Sequence, residues 1–420
     1  MNYDFTTLGA LVGLTLAIIL IIKKVQPAYS LIIGALVGGL VGGGGLDTTV
    51  ATMISGSQGM ISSVLRIMTS GILAGTLIKT GAAEKIADVI VTKLGEKRAI
   101  IAITIATMII CSVGVFVDIS VITVAPIALA IGQKAGLSKA SVLLAMLGGG
   151  KAGNIISPNP NTIAISEAFN VDLTSLMMKN LVPALCAMVV TIILASLVAK
   201  KKGTTITAAD LEKRDSADLP SFLAAIAGPV VVVILLALRP LCKITVDPLI
   251  ALPVGGIVCA LATGKIKHTR EYAEFGLSKV IGVSVLLIGT GTLAGIIKAS
   301  ALQYDVINLL DAFHLPAFIL APIAGILMAG ATASTTAGAT IASQTFASTL
   351  LSAGIPALSA GAMIHSGATV IDSLPHGSFF HATGNAANMG FKDRLKLIPF
   401  EACIGLTSTI VATVMYLIGM

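Results

Sequence analysis

Tryptophan is absent from the 420 residues, and aromatic residues of all kinds make up only 4%. Charge is scarce too: Asp, Glu, Lys and Arg total 11%, against about 25% in soluble domains. With 55% hydrophobic residues and a mean hydropathy of +0.98, that scarcity excludes a soluble globular protein. Apolar runs of membrane-spanning length recur from end to end, which also excludes a soluble domain on one anchor. The opening MNYDFTTLGA has no basic leader and no small-residue cleavage site, so Leu8–Ile22 reads as a retained span. The five cysteines, Cys111, Cys186, Cys242, Cys259 and Cys403, show no CxxC spacing and lie in or beside apolar segments. They read as small membrane-core residues, not ligands or disulfides. No HExxH occurs and no His pairs with a nearby thiol, so neither a metal nor another cofactor is expected. GTGTLAG (289–295) is no phosphate loop, because no strand precedes it and no GK[ST] follows. The net charge of +7 resides in short loops between apolar runs. That is the positive-inside pattern, and it implies no nucleic-acid partner.

What the chain does contain is an internal repeat. GILAGTLIK (71–79) returns as GTLAGIIK (291–298), and AGLSKASVLLAM (135–146) as AGIPALSAGAM (353–363). ISPNPN (156–161) falls against SLPHG (373–377), and LVPALC (181–186) against LIPFEAC (397–403). The order is kept, so two halves are expected, 1–200 and 220–420, joined by a linker at 201–219. Lys200, Lys201 and Lys202 place that linker in the cytoplasm. Working outward, the first span ends inside at Lys23 and Lys24, and spans near 28–46 and 60–80 follow. EKIADVIVTKLGEKR (84–98) reads as an amphipathic helix on the cytoplasmic surface. The apolar stretch 99–133 interrupts itself at VGVFVDIS and has basic flanks, Lys97, Arg98, Lys134 and Lys139. It reads as a re-entrant hairpin with its tip near Gly114–Asp118. A broken helix at about 140–167 and a span at 173–199 close the half. The second half repeats this with sides exchanged: a hairpin at about 315–351, flanked by no Lys or Arg, and a broken helix at about 357–384. Arg239 and Lys243 run against the charge bias. Five spans plus a hairpin in each half make the repeat inverted, as in many secondary transporters. The expected fold is thus an all-α integral membrane protein with both termini outside.

The polar residues concentrate where helices must fail. In GGGKAGNIISPNPNTIA (148–164), Pro158 and Pro160 remove two amide donors and oppose helical geometry in the residues before them. Unwound backbone inside a bilayer is tolerated only where protein buries it or it lines a cavity. Asn154, Ser157, Asn159, Asn161 and Thr162 therefore become candidates for substrate binding. The matching stretch HSGATVIDSLPHGSFFHATG (365–384) supplies His365, Asp372, Ser373 and His376, with Pro375 and Gly377 as breakers. Ionisable residues at such depth suggest a substrate or ion path. His365, His376 and His381 fall within seventeen residues, and histidine beside Asp372 suits proton coupling. The first hairpin tip carries Asp118. The second, AGATASTTAGATIAS (329–343), carries Ser334, Thr335 and Thr336, whose hydroxyls suit a carboxylate or an ion. Lys151 could snorkel toward the cytoplasm, or pair with Asp118 or a substrate carboxylate.

These segments, with the ending MGFKDRLKLIPFEACIGL, resemble the gluconate permease family of the ion transporter superfamily, over essentially the whole chain. The best local signatures are PNP at 158–160, the Ser/Thr-rich second tip and DSLPHG at 372–377. The resemblance implies a bacterial inner-membrane protein that imports small hydroxy or amino carboxylates, such as gluconate, D-serine or 3-hydroxybutyrate, generally with protons. It also implies a scaffold that mediates dimers and a transport unit holding the hairpins and broken helices. Gluconate members carry a PPHPGP-like segment where this chain reads SPNPNT, a departure that weighs against gluconate itself. The expected activity is a proton-coupled symporter rather than an enzyme, with Asp118, His365, Asp372 and His376 as coupling candidates. The alternative is sodium coupling in the same architecture. An enzyme or a channel is the reading of a different class, and no triad-like pattern supports the former.

Overall fold

The computed structural model describes residues 3–200, 204–211, 219–242, 244, 246–313 and 316–420, without the side chains of 239–242 and 310–311. Linker residues 201–203 and 212–218, Lys243, the expected hairpin start at 315, and the side chains of Arg239 and Cys242 lie outside that description. Among the described residues the chain is helical throughout, with 21 α-helices and no strand. The first half holds α1 (Thr7–Ile22), α2 (Pro27–Val41), α3 (Gly45–Gln58), α4 (Ile61–Lys79), α5 (Ala82–Leu94) and α6 (Ala99–Ser112). It continues with α7 (Val117–Lys134), α8 (Lys139–Asn154), α9 (Pro160–Ala168), α10 (Leu173–Lys179) and α11 (Leu181–Ala199). The second half holds α12 (Phe222–Cys242), α13 (Pro248–Ala262), α14 (Thr269–Lys298), α15 (Leu302–Ala312) and α16 (Leu320–Thr332). It ends with α17 (Thr335–Ser352), α18 (Ala357–Gly367), α19 (Ser378–Ala386), α20 (Phe391–Leu395) and α21 (Ile398–Leu417).

Among the described residues, five helical stretches are long and apolar enough to cross a membrane: Ile61–Lys79, Val117–Lys134, Leu181–Ala199, Ile266–Lys298 and Phe391–Leu417. On α11 the exposed side chains Leu185, Val189, Ile193 and Leu197 recur every fourth residue and form the outward-facing stripe that lipid would cover. Two expectations need correction. The chain does not pass directly from a span at 28–46 to one at 60–80, because α3 intervenes. Its sequence GLDTTVATMISGSQ, with Asp47, three threonines and two serines, is too polar to read as membrane helix. The segment 84–98 is amphipathic as expected, with Thr92, Lys93 and Glu96–Arg98 exposed, but its apolar face packs on protein. Ala83, Ile86, Ala87 and Val91 are buried, and α5 packs on α6, α7 and α12.

The reason α3 is helical lies in its packing. With only Gly59 and Met60 interrupting them, α3 and α4 run antiparallel to α14, a helix of 30 residues and so about 45 Å long. Glycines bring the backbones together. A Cβ on Gly56 would collide with the Gly291 carbonyl, and one on Gly276 with the Gly71 carbonyl. Gly295 abuts Thr52 and Gly56, while Gly75 abuts Tyr272 and Gly276. Thr52 and Tyr272, Gly56 and Gly276, Gly71 and Gly291, Gly75 and Gly295 are each 220 residues apart. The contacts therefore exchange under one offset, as a local two-fold axis across the helices would make them. Another pair behaves alike: Gly149 of α8 abuts the Thr104 carbonyl of α6, and Gly367 of α18 abuts the Pro322 carbonyl of α16. Here both members are 218 residues apart.

The described part of the linker is strapped down. Lys139 Nζ reaches Asp210 Oδ1 at 2.5 Å and the Asn388 carbonyl at 3.1 Å. The Lys139 hydrogen bond holds the Asp210 carboxyl down at about 2. A depressed carboxyl stabilises the fold above its ordinary range, so this strap weakens only as pH falls toward 2.

The glycine seam carries a direct test. Gly276→Ala forces α14 away from α4 and should cost about 1–3 kcal/mol, read as a lower unfolding temperature in detergent. Gly282→Ala, on the same helix with nothing near its added methyl, should leave that temperature unchanged or raise it.

Candidate functional site

The first helix break shows how local chemistry consumes polar side chains. The helix α8 ends at Asn154, and Pro160 opens α9, where its missing donor is harmless. Asn159 caps α9: its Oδ1 accepts the backbone N–H of Asn161 at 3.0 Å and of Thr162 at 3.1 Å. Its amide donates to the Asn154 carbonyl at 2.9 Å and to Asn154 Oδ1 at 2.6 Å. Ser157 Oγ donates to the Cys111 carbonyl at 2.7 Å, and Thr162 Oγ1 to the Ser157 carbonyl at 2.6 Å. Ser157, Asn159 and Thr162, expected in a substrate site, are thus engaged in closing the break and do not line the cavity described next. In the second half, Ala333 ends α16 in a left-handed conformation, and Ser334 caps α17 by accepting the Ala337 N–H at 3.3 Å.

What these caps leave over faces one cavity of about 240 Å³. It is lined by Phe116–Ile119 at the α6–α7 turn, by Asn154 and Asn161 from the first break, and by Ala333–Thr336 at the α16–α17 turn. Ser378 and Phe379 at the start of α19, and Lys279 and Val283 of α14, complete the wall. Asn154 Oδ1 accepts from Asn161 Nδ2 at 3.0 Å, but Asn154 Nδ2 and Asn161 Oδ1 find no partner among the described residues. Both residues are 97% buried, so an unmet donor and an unmet acceptor lie just inside the wall. The helices α7, α9, α17 and α19 all present N-terminal residues here (Asp118, Asn161, Thr335 and Ser378). Four helix N-termini and the Lys279 ammonium bring positive potential suited to an anion, with the Asp118 carboxylate beside Lys279 opposing it.

Of the residues expected to bind substrate, Asn154, Asn161, Ser334, Thr335 and Thr336 line this cavity, and so does Asp118. Lys151, Ser373 and Asp372 lie behind it, in a buried ionic chain. Lys151 is paired with Asp372, and its Nζ also donates to the Thr369 carbonyl at 2.6 Å. Glu401 Oε2 lies 4.0 Å from the same ammonium, and Arg394 is paired with Glu401. Each of these four side chains is at most 2% exposed. Lys151 thus neither snorkels nor meets Asp118 or the cavity, because α8 directs it at the 368–377 break. The histidines do not gather at Asp372. His365 is fully buried with no hydrogen bond, while exposed His376 reaches the Ala331 carbonyl at 3.2 Å and exposed His381 the Pro375 carbonyl at 2.8 Å. The α18 helix and the 368–377 turn point the three rings in different directions. Sequence reasoning missed Lys279, Glu401 and Arg394. Lys279 was visible as the one charge within the run LSKVIGVSVLL, and Glu401 within LIPFEACIGL.

The GntP family permease profile matches residues 5–418. The chain belongs to the GntP permease family. It is 54% identical over 411 residues to an uncharacterised transporter of Haemophilus influenzae, covering 98% of each chain. The D-serine transporter DsdX of Escherichia coli is 22% identical over 78% of this chain and 79% of its own. A gluconate permease of Pseudomonas aeruginosa is 26% identical over 57% of this chain and 55% of its own. Among solved structures, the YdaH transporter of Alcanivorax borkumensis superposes with a TM-score of 0.67 at 14% identity, covering 98% and 99% of the two chains. That likeness is one of fold. This GntP-family permease is therefore a multi-pass membrane transporter.

The permease's ionic chain should resist single changes and tolerate a paired one. Lys151→Met leaves Asp372 buried without its counter-ion and should cost about 3–5 kcal/mol, whereas adding Asp372→Leu should recover most of the loss. Thermal unfolding of the purified variants measures both.

Proposed function

We propose that this permease imports a small hydroxylated monocarboxylate together with protons by alternating access. One observation carries the reading: four helix N-termini, Lys279 and the side chains of Asn154 and Asn161 converge on one cavity. A carboxylate answers the positive field, and hydroxyls answer the amide donor and acceptor and the hydroxyls of Ser334, Thr335 and Thr336. A volume near 240 Å³ is below the about 300–1,000 Å³ of drug-sized ligand sites, which suits a small acid. Relatives named for gluconate and D-serine fall in that chemical class.

The exchanged glycine contacts support reading 1–200 and 220–420 as inverted repeats, with linker 201–219 between them. In that arrangement α6–α7 and α16–α17 are re-entrant hairpins, and they move with α8–α9 and α18–α19 against a scaffold built on α1–α4 and α12–α14. Alternating access by such repeats is an established transporter design. The proposal extends to a homodimer in the bacterial inner membrane with both termini outside. Asp118 and Asp372 are the coupling carboxylates. His365 and His376, away from the cavity, become secondary candidates.

Uptake of gluconate, D-serine and 3-hydroxybutyrate into proteoliposomes tests the reading. Acid outside should drive accumulation of at least one, and Asn154→Ala, Asn161→Ala or Lys279→Gln should each weaken it about tenfold or more. Accumulation driven by a sodium gradient at equal pH would instead establish the sodium reading, which Asp118 and the free Asn161 oxygen favour.

A further inference from the structure

The hydroxyl of Thr335 joins two systems. It lines the cavity, and it donates its single hydrogen to Asp372 Oδ2 at 2.5 Å. The other carboxylate oxygen of Asp372 receives Lys151 and, at 3.0 Å, Ser373 Oγ. Behind them stand Glu401, 4.0 Å from Lys151, and Arg394 bound to Glu401. Two acids and two bases leave the buried chain neutral.

An ionised carboxylate only accepts hydrogen bonds, whereas a hydroxyl has one hydrogen to give and two lone pairs. While Asp372 is ionised, the Thr335 hydrogen is committed to it, and a carboxylate arriving in the cavity meets only the Thr335 oxygen. A protonated Asp372 can donate to Thr335 Oγ1, and the Thr335 hydrogen is then free to turn into the cavity. We propose that this reversal of the Thr335–Asp372 hydrogen bond is the device that couples proton binding to substrate binding, with Lys151 shifting toward Glu401 as Asp372 is neutralised. The inference rests on the carboxylate-import reading above.

The step balances simply. One proton from the aqueous cavity forms an O–H bond on Asp372, no other covalent bond changes, and Lys151 keeps its own proton. The chain gains one positive charge as the substrate brings one negative charge. A lysine suits the shift, being a point charge on a flexible stem, and Glu401 keeps it paired in both states. The other titratable groups nearby are Asp118 and Lys279, on the cavity walls supplied by α7 and α14. His376 bonds the Ala331 carbonyl, and His365 bonds neither Asp372 nor Lys151.

Infrared difference spectra of the substrate-free permease between acid and neutral pH provide the first test. A carboxylic-acid band should appear on acidification, vanish in Asp372→Asn and change frequency in Thr335→Val. No such band, or one that Asp372→Asn leaves in place, overturns the proposal. Binding of gluconate, D-serine and 3-hydroxybutyrate across the same pH range is the second. The acid that binds should bind more tightly at low pH in the parent. It should bind about tenfold more weakly and independently of pH in Thr335→Val, with the pH dependence restored by Thr335→Ser. Persistent pH dependence in Thr335→Val overturns the coupling role. That variant leaves every buried charge in place, so it decides the matter even where Asp372→Asn fails to fold. Binding of none of the three acids, with the infrared behaviour intact, removes their substrate class while supporting the proton switch.

Discussion

A bilayer offers no water to an unpaired amide or carbonyl, and a chain that breaks its helices inside one must satisfy them from its own side chains. That requirement shapes the breaks at 155–159 and 368–377 and the turn at Ala333 and Ser334. Asn159 takes two backbone donors and gives both of its own hydrogens to Asn154, while Ser157 and Thr162 absorb carbonyls. Ser334 does the same for α17. After these demands are met, Asn154 Nδ2 and Asn161 Oδ1 are among the buried polar atoms left without a partner among the described residues, and both residues line the cavity where four helix N-termini end.

Charge follows the same logic at greater depth. Lys151 comes from the first half, whereas Asp372, Glu401 and Arg394 come from the second, so the halves share one ionic chain. Such a chain is weak evidence for stability, since a well-packed apolar substitute often does as well. A second cluster, outside that chain, joins Arg66 of α4 to Asp247 before α13 and Glu167 of α9. The glycine seams between α3–α4 and α14, and between α6 and α8, have a different character. They place backbone against backbone without large interlocking side chains, which suits elements related by a local two-fold.

Much of the architecture could be read without coordinates. Apolar runs, the prolines at 158 and 160 and the repeated GILAGTLIK and GTLAGIIK segments point to helical membrane units with interruptions. The reading failed where a helix is polar, as in α3, because α3 is held by glycine contacts with α14 that its own composition does not announce. It also failed where an amphipathic segment packs inward, as α5 does. Of the residues it named, Asn154, Asn161, Asp118 and Ser334–Thr336 line the cavity. Ser157, Asn159 and Thr162 instead hydrogen-bond the helix break itself, since a polar residue beside a proline serves capping as readily as binding.

Composition and the order of the amino acids were sufficient to establish a membrane class and the places where helices break, because hydrophobicity and proline act locally. Which polar groups meet is another matter. Lys151 and Asp372 are 221 residues apart, and Thr335 and Asp372 are 37 apart. Lys279 enters the cavity only because α14 passes beside the hairpin turns. Those meetings depend on helix crossings that no local pattern encodes, and they set the asparagine-rich break and the exposed Lys279 around one cavity while joining Lys151 to Asp372 behind it.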